Sequence, residues 1–431
     1  MNDLEHLKRL SAVKSSTGIK FLTPAVYPGN HCPMRFASGI VGNIQGLSSL
    51  LVGMQECSTH SRIFIPKAEG KHGELYWLYV LDANEVVFGC RTGVMDALRK
   101  MDKAGAKAII LVATCVPELI GEDFEGIIHE IQPELSARVT FVLLGQFKNL
   151  GHPAGSWKTF EALGSLMSAT KTDPRRVNIL GYAQDEKNSS LPSPLPELTQ
   201  RGLALRYLAP GTTLEDLQSA PDAALNLVVS PNLQPLAVKM EREFKVPYLA
   251  LHNLYDVESN DRAYMTLSDR FSFSWNGEFD EARQTALALQ NQAKGRFKGL
   301  RYIFANRIDR PLPLAVYLSR LGMEPLLLHL EEYYPEDSTN AKAIIEMGYD
   351  PWICRMVNSE AELPILERLS PDLCFGQLTR NKTSLRCVKD MFGRNEMVGY
   401  GRTASLIKSI IGVLDGTGAP MRGGRGRHGA A

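Results

Sequence analysis

The chain is 431 residues long, 44% hydrophobic and 22% charged, enough to bury a large core and to predict about three domains. A net charge of +1 excludes a global field for nucleic acid or an anionic membrane, so any partner must be met by local patches. The charged start MNDLEHLKRLSAVKSS, and the lack of any apolar run near the roughly 18 residues that a spanning helix needs, predict a cytoplasmic protein. Seven cysteines in such a chain point to metal ligands or free thiols rather than disulfides.

In chain order, the first informative residues are Cys32 in His31-Cys32-Pro33-Met34 and Cys57 in Gly53-Met54-Gln55-Glu56-Cys57-Ser58, each placed where a helix is expected to begin. The apolar run Ala108–Ala113 then predicts a buried parallel strand, and Cys115 falls just past its carboxyl end, where open α/β sheets hold ligands. Pro117 suits the first turn of the helix that follows, and Glu118, Glu122 and Asp123 suit its positive end. A thiol at a helix start is favoured as thiolate, the form that ligates iron or zinc. The three cysteines are 25 and 58 residues apart, too far for a zinc knuckle or a small-ferredoxin run, so only the tertiary fold can assemble them.

Further strands are predicted at 139–144, 177–180, 225–229, 302–305 and 326–328. Helices are predicted at 125–131, 156–167, 237–244, 281–293 and 313–321. This alternation reads as repeated βα units with several parallel sheets. Breaks near 172 and 296 divide the chain into α/β units at 1–172, 173–296 and 297–418. The proline-rich stretch 185–198 is a long loop or helix entry, and the low-complexity basic tail 419–431 is expected to be disordered.

The stretches FASGIVGNIQGLSSLLVGMQEC (Phe36 to Cys57), Val87-Phe88-Gly89 and TCVPELIGED (Thr114 to Asp123) resemble the large-component proteins of nitrogenase and its relatives. The resemblance implies three Rossmann-like domains with parallel sheets flanked by helices. It implies Cys32, Cys57 and Cys115 as ligands of a P-cluster-type [8Fe-7S] centre, or of a [4Fe-4S] cluster, at a subunit interface. The motif spacing resembles the β-type subunit. That implies an α-type partner in an α2β2 assembly, electrons from an ATP-dependent iron protein, and a catalytic cofactor on the partner.

The same resemblance puts His152 where a β-type subunit carries a serine near the cluster, with Ser156 close by, while His31 and His60 flank the ligand cysteines. Cys90 stands where the family often has a glycine, and reads as a small residue in tight packing. Cys354, Cys374 and Cys387 have no cysteine neighbours in sequence and read as core thiols. At the expected cofactor position, LNLVVSPNLQPLA carries Ser230 rather than cysteine, and DMFGRNEMVGYGR offers no matching histidine. No P-loop is present, and Gly399-Tyr400-Gly401-Arg402-Thr403 reads as a helix entry. The expected activity is that of a nitrogenase-like reductase, with methylthio-alkane reduction favoured. Nitrogen fixation, reduction of a tetrapyrrole precursor and a non-catalytic cofactor-assembly scaffold are the alternatives.

Overall fold

The structure, a computed structural model, describes residues 4–23, 32–148, 153–182, 191–209, 211–305, 308, 310–355, 359–376, 378, 384–389, 391 and 396–416. The tail at 419–431 and the part of the proline-rich stretch at 185–190 lie outside these residues. Two compact units are formed, one within 28–253 and one combining segments within 1–27 and 254–431. The short strand β1 (Lys8–Arg9) belongs to the latter.

In the unit within 28–253, α1 (Met34–Val41) leads into β2 (Leu47–Gly53), α2 (Cys57–Arg62), β3 (Tyr76–Val80), α3 (Ala83–Phe88), α4 (Arg91–Lys103), β4 (Ala108–Ala113), α5 (Cys115–Leu119), α6 (Phe124–Ile131) and β5 (Arg138–Leu143). The four strands form a parallel sheet in the order β3-β2-β4-β5. All six residues of β4 are buried, as a central strand with covered faces requires. Strand β2 is equally buried yet contains Ser48 and Ser49. The Ser48 hydroxyl accepts a hydrogen bond from the Leu75 N–H at 2.9 Å, which satisfies it inside the sheet. Those serines interrupt the apolar run, which is why β2 was not predicted. Helix α3 starts at a capping box in which Asp82 and Glu85 satisfy each other's backbone N–H groups.

Helix α7 (Pro153–Leu163) carries the chain into a second parallel sheet, ordered β7-β6-β8-β9. It contains β6 (Asp173–Leu180), α8 (Leu195–Gln200), β7 (Ala204–Leu208), α9 (Leu214–Ser219), β8 (Ala223–Val228), α10 (Gln234–Phe244) and β9 (Tyr248–Ala250). Its middle holds a buried polar pair, Asn178 donating to Asn226 at 2.9 Å.

The other unit contains α11 (Val257–Phe271), α12 (Asp280–Arg296), β10 (Arg301–Phe304), α13 (Pro311–Arg320), β11 (Glu324–His329), α14 (Asp337–Glu346), β12 (Trp352–Cys354), α15 (Ser359–Arg368), β13 (Leu373–Phe375), β14 (Cys387–Val388) and α16 (Gly399–Leu414). Its sheet runs β1-β12-β11-β10-β13-β14, parallel except where β1 meets β12. Three parallel sheets flanked by helices match the fold class that the sequence predicts. The predicted strands all exist, β4 with the predicted bounds and the others longer or offset by a residue or two. The predicted helix at 156–167 instead begins at Pro153 and ends at Leu163, before a 3-10 turn at Gly164–Leu166.

Candidate metal centre

Strands β2 and β4 are hydrogen-bonded neighbours, with Val52 registered against Ala113, so the loops leaving their carboxyl ends emerge side by side. One loop ends at Cys57, the first residue of α2, and the other at Cys115, the first residue of α5. Gly53 makes this closeness possible: a Cβ there would lie 2.0 Å from the Thr114 hydroxyl oxygen. Cys32 stands two residues ahead of α1. Its neighbour Pro33 is pinned by α7, because a Cβ at Gly155 would stand 2.0 Å from the Pro33 carbonyl oxygen. Gly53 opens the G-x-x-x-C stretch that the sequence marks, whereas Gly155 carries no sequence signal and is revealed only by the close approach of the Pro33 backbone.

Cys32 and Cys57 pack half-buried on one apolar cluster with Met34, Ile40 and Leu51. Burial is the main force pushing the Cys32 thiol above its ordinary value; the Met34 N–H opposes it, and Cys115 and Cys57 add to it. Cys57 and Cys115 are therefore both within electrostatic reach of Cys32. Cys115 Sγ accepts a hydrogen bond from the Gln146 N–H at 3.2 Å. That loop is held by buried Glu118, which accepts from the Gly145 N–H and lies 4.0 Å from the Lys148 ammonium.

Three nearby thiolates repel one another, and a cationic metal centre removes that penalty. Among the described residues no three His, Cys, Asp or Glu side chains enclose a single ion. A polynuclear centre, in which each thiolate binds a different iron, does not require the sulfurs to converge on one point. A cluster of that type supplies one-electron redox chemistry. The described side chains suited to holding it are the three cysteines, with Gln146 and Glu118 ordering the loop beside Cys115.

Elements that follow the carboxyl ends of this sheet also expose large apolar side chains. Val87 and Phe88 at the end of α3 are 71% and 83% exposed, and Phe147 after β5 is 69% exposed. Phe36 on α1, Phe64 after α2 and Leu119 on α5 are exposed as well. These exposed side chains are the candidate contacts for a partner chain.

The remaining candidates separate from this site. Cys90 is in the core behind the sheet; burial, with Glu122 and Glu85 nearby, pushes its thiol well above the ordinary value, which opposes ligation. Ser156 is buried in α7, one residue from the Gly155 contact. His31 and His152 lie outside the described residues, and His60 is placed only as a backbone position in α2. Cys354 is a core residue. Cys374 and Cys387, without cysteine neighbours in sequence, are registered opposite one another in β13 and β14. Ser230 follows β8 and opens a 3-10 turn, with the His252 ring 2.7 Å from the Gln234 amide oxygen at the same strand ends. Gly399 to Thr403 form the first turn of α16, where Arg402 and Thr403 bond to Tyr255.

A family model described as nitrogenase component 1 type oxidoreductase matches residues 32–415. The chain belongs to that family. Among the curated relatives of this nitrogenase-like protein is the nitrogenase iron-molybdenum cofactor biosynthesis protein NifE of Nostoc sp. (strain PCC 7120 / SAG 25.82 / UTEX 2576). It is 22% identical over 324 residues, which is 71% of this chain and 65% of the Nostoc protein. The NifE protein of Sinorhizobium fredii is 23% identical over 395 residues, 87% of this chain and 76% of that one. The nitrogenase molybdenum-iron protein alpha chain of Methanococcus maripaludis is 30% identical over 107 residues, 23% of this chain and 22% of that one. The solved structure described as nitrogenase Cp1 at pH 6.5 shares the fold, with a TM-score of 0.67 at 17% identity over 91% of this chain and 93% of that one.

The family uses iron–sulfur clusters and works as α/β assemblies with a separate iron protein. Membership makes the chain nitrogenase-like at the coarse level of the family, and it spans 65% of the length of the Nostoc relative. Because the relatives include an α chain as well as cofactor-biosynthesis proteins, likeness to them does not make the chain β-type. No helix among the described residues is long and apolar enough to cross a membrane.

Proposed function

We propose that this chain is one subunit of a two-chain scaffold on which a nitrogenase-type metal cofactor is assembled and handed on, with Cys32, Cys57 and Cys115 anchoring an iron–sulfur cluster at the contact with a homologous partner. The reading rests on the likeness of this chain, over 324 to 395 residues, to cofactor-biosynthesis proteins. Two features of the molecule support it. Ser230 follows β8 where the resemblance calls for the cysteine that would anchor a substrate-reducing cofactor. Large apolar side chains are exposed on elements of the same sheet, Phe88 after β3 and Phe147 after β5 among them, where a second chain could cover the cluster and complete it. A [4Fe-4S] centre takes four thiolates, and three on this chain leave one ligand for the partner.

A second reading, favoured by the full set of three cysteines, is an electron relay of β type. It would share a P-cluster-type centre with an α-type catalytic subunit and pass electrons from an ATP-dependent iron protein, for example to cleave the C–S bond of a methylthio-alkane. One experiment separates the two. The complex is purified anaerobically with its natural partner, iron is measured per chain, and the cluster is followed by EPR as an iron protein and ATP are added with nitrogen, acetylene or a methylthio-alkane. Activation of a cofactor-free component 1 protein without turnover is the expected result. Product formation coupled to redox cycling would instead select the relay.

A further inference from the structure

Cys374 is the middle residue of β13, and Cys387 opens β14, the edge strand of its sheet. The strands run parallel, with Cys374 registered opposite Cys387 and Phe375 opposite Val388. The Cys374 N–H donates to the Arg386 carbonyl at 2.8 Å, and the Gly376 N–H to the Val388 carbonyl at 3.1 Å, which fixes that register. Registered residues in a parallel pair project to the same face of the sheet. Neighbouring strands lie about 4.8 Å apart, inside the window of about 4.4 to 6.8 Å between Cα atoms that a disulfide spans. Both cysteines are free thiols. Cys374 is fully buried, while Cys387 is half-buried at the edge, so a reagent arriving from solvent meets Cys387 first.

We propose that Cys374 and Cys387 form a redox-active dithiol that is oxidised by low-molecular-weight disulfides, Cys387 attacking and Cys374 resolving. The Cys387 thiolate displaces one thiolate from the small disulfide and forms a mixed disulfide with the other half. Cys374 then loses its proton to the displaced thiolate and attacks Cys387 Sγ, expelling the second small thiolate, which takes a proton from solvent. The protein dithiol is oxidised by two electrons, and the small disulfide is reduced to two thiols. The thiols donate to backbone carbonyls, Cys387 to Leu385 at 3.4 Å and Cys374 to Phe375 at 3.9 Å. Electrostatics support the roles: the adjacent Cys374 thiol and the Lys389 ammonium draw Cys387 below the usual thiol value, while Cys387 and burial hold Cys374 far above it. A nucleophile with thiolate character beside a protonated resolving thiol is what exchange requires. The bond would tie the edge strand to β13 beside α16, which packs on β14.

The test uses the full chain, purified anaerobically with its bound iron, exposed to oxidised glutathione, alkylated and digested with trypsin without reductant. Cleavage after Arg380 and Arg386 places the two cysteines on separate peptides, so the bridge appears as a linked pair that dithiothreitol dissolves. That pair should form at least tenfold faster than any pair containing Cys90 or Cys354. Cys374→Ser should accumulate the glutathione adduct at Cys387, Cys387→Ser should form neither species, and both variants should keep full iron content. The proposal is overturned if both thiols are still alkylated as free under conditions that oxidise the urea-unfolded chain. Equal reactivity of Cys374 in the Cys387→Ser variant would overturn it as well.

Discussion

The Pro33 carbonyl oxygen lies 2.0 Å from where a Cβ would stand at Gly155, so helix α7 can approach the Cys32 segment only because that residue is glycine. Gly155→Ala should therefore act against helix propensity. Alanine favours a helix by roughly 1 kcal/mol over glycine, yet a methyl driven into backbone cannot be accommodated by a rotamer change, and overpacking costs about 1–3 kcal/mol. Gly295, near the end of α12, has nothing within 4 Å of its would-be Cβ. Chemical denaturation should show Gly155→Ala destabilised with reduced iron content, and Gly295→Ala unchanged or stabilised. Equal effects at both positions would refute the close-contact account.

Removing a cluster ligand should be distinguishable from removing a core thiol. Cys57→Ala and Cys115→Ala should each lower iron per chain and weaken association with the partner, because an open coordination site is left at the contact. Cys354→Ala, in the core of the other unit, should keep its iron and cost about 1 kcal/mol of stability. Iron analysis of the three variants, purified side by side, is the measurement; full iron in both ligand variants would remove these cysteines from the site.

The exposed apolar side chains predict an association defect without a folding defect. Phe88 and Phe147 are 83% and 69% exposed, so Phe88→Asp and Phe147→Asp should shift the stability of the isolated chain by no more than about 0.5 kcal/mol. If these side chains meet the partner, each should weaken the complex by 2 kcal/mol or more, roughly thirtyfold. Unchanged dissociation constants for both would place the partner elsewhere.

His329 gives a pH dependence with a defined sign. Burial holds its imidazole down at about 4 against an ordinary 6.5, opposed by the Ala305 backbone and reinforced by the Arg355 guanidinium. On acidification the unfolded chain takes up the proton near 6.5, whereas the folded chain does so only near 4. Stability is therefore lost as pH falls through that window, by up to about 3 kcal/mol. Asp337 works in the opposite sense: burial raises its carboxyl to about 6, so its contribution is complete below the unfolded value near 3.8 and disappears as pH rises through 6. Urea titrations at pH 7, 5.5 and 4.5 should show His329→Leu losing less stability than the wild type on acidification. An identical pH slope for the two proteins would rule out His329 as the group responsible.

Much of the fold was legible in the chain itself. The Ala108–Ala113 strand was readable to its bounds because a strand covered on both faces must be apolar at every position, and that pattern is local. Cys115 was legible for the same reason, lying just beyond such a strand and before an acidic helix start. Strand β2 was not, because Ser48 is satisfied by the backbone of Leu75, a partner 27 residues away that no local pattern reveals.

What the sequence determined by itself was the set of elements, the class of architecture and the identity of three cysteines at element junctions, all consequences of periodicity and of side-chain chemistry. Tertiary structure alone decided which of those residues meet. The register of β2 against β4 brings the Cys57 and Cys115 loops together, and the absence of a side chain at Gly155 lets Cys32 approach. The register of β13 against β14 turns Cys374 and Cys387 from separate core thiols into a pair. Register and close backbone approach depend on atoms far apart along the chain, and their energies exist only once the sheets have formed.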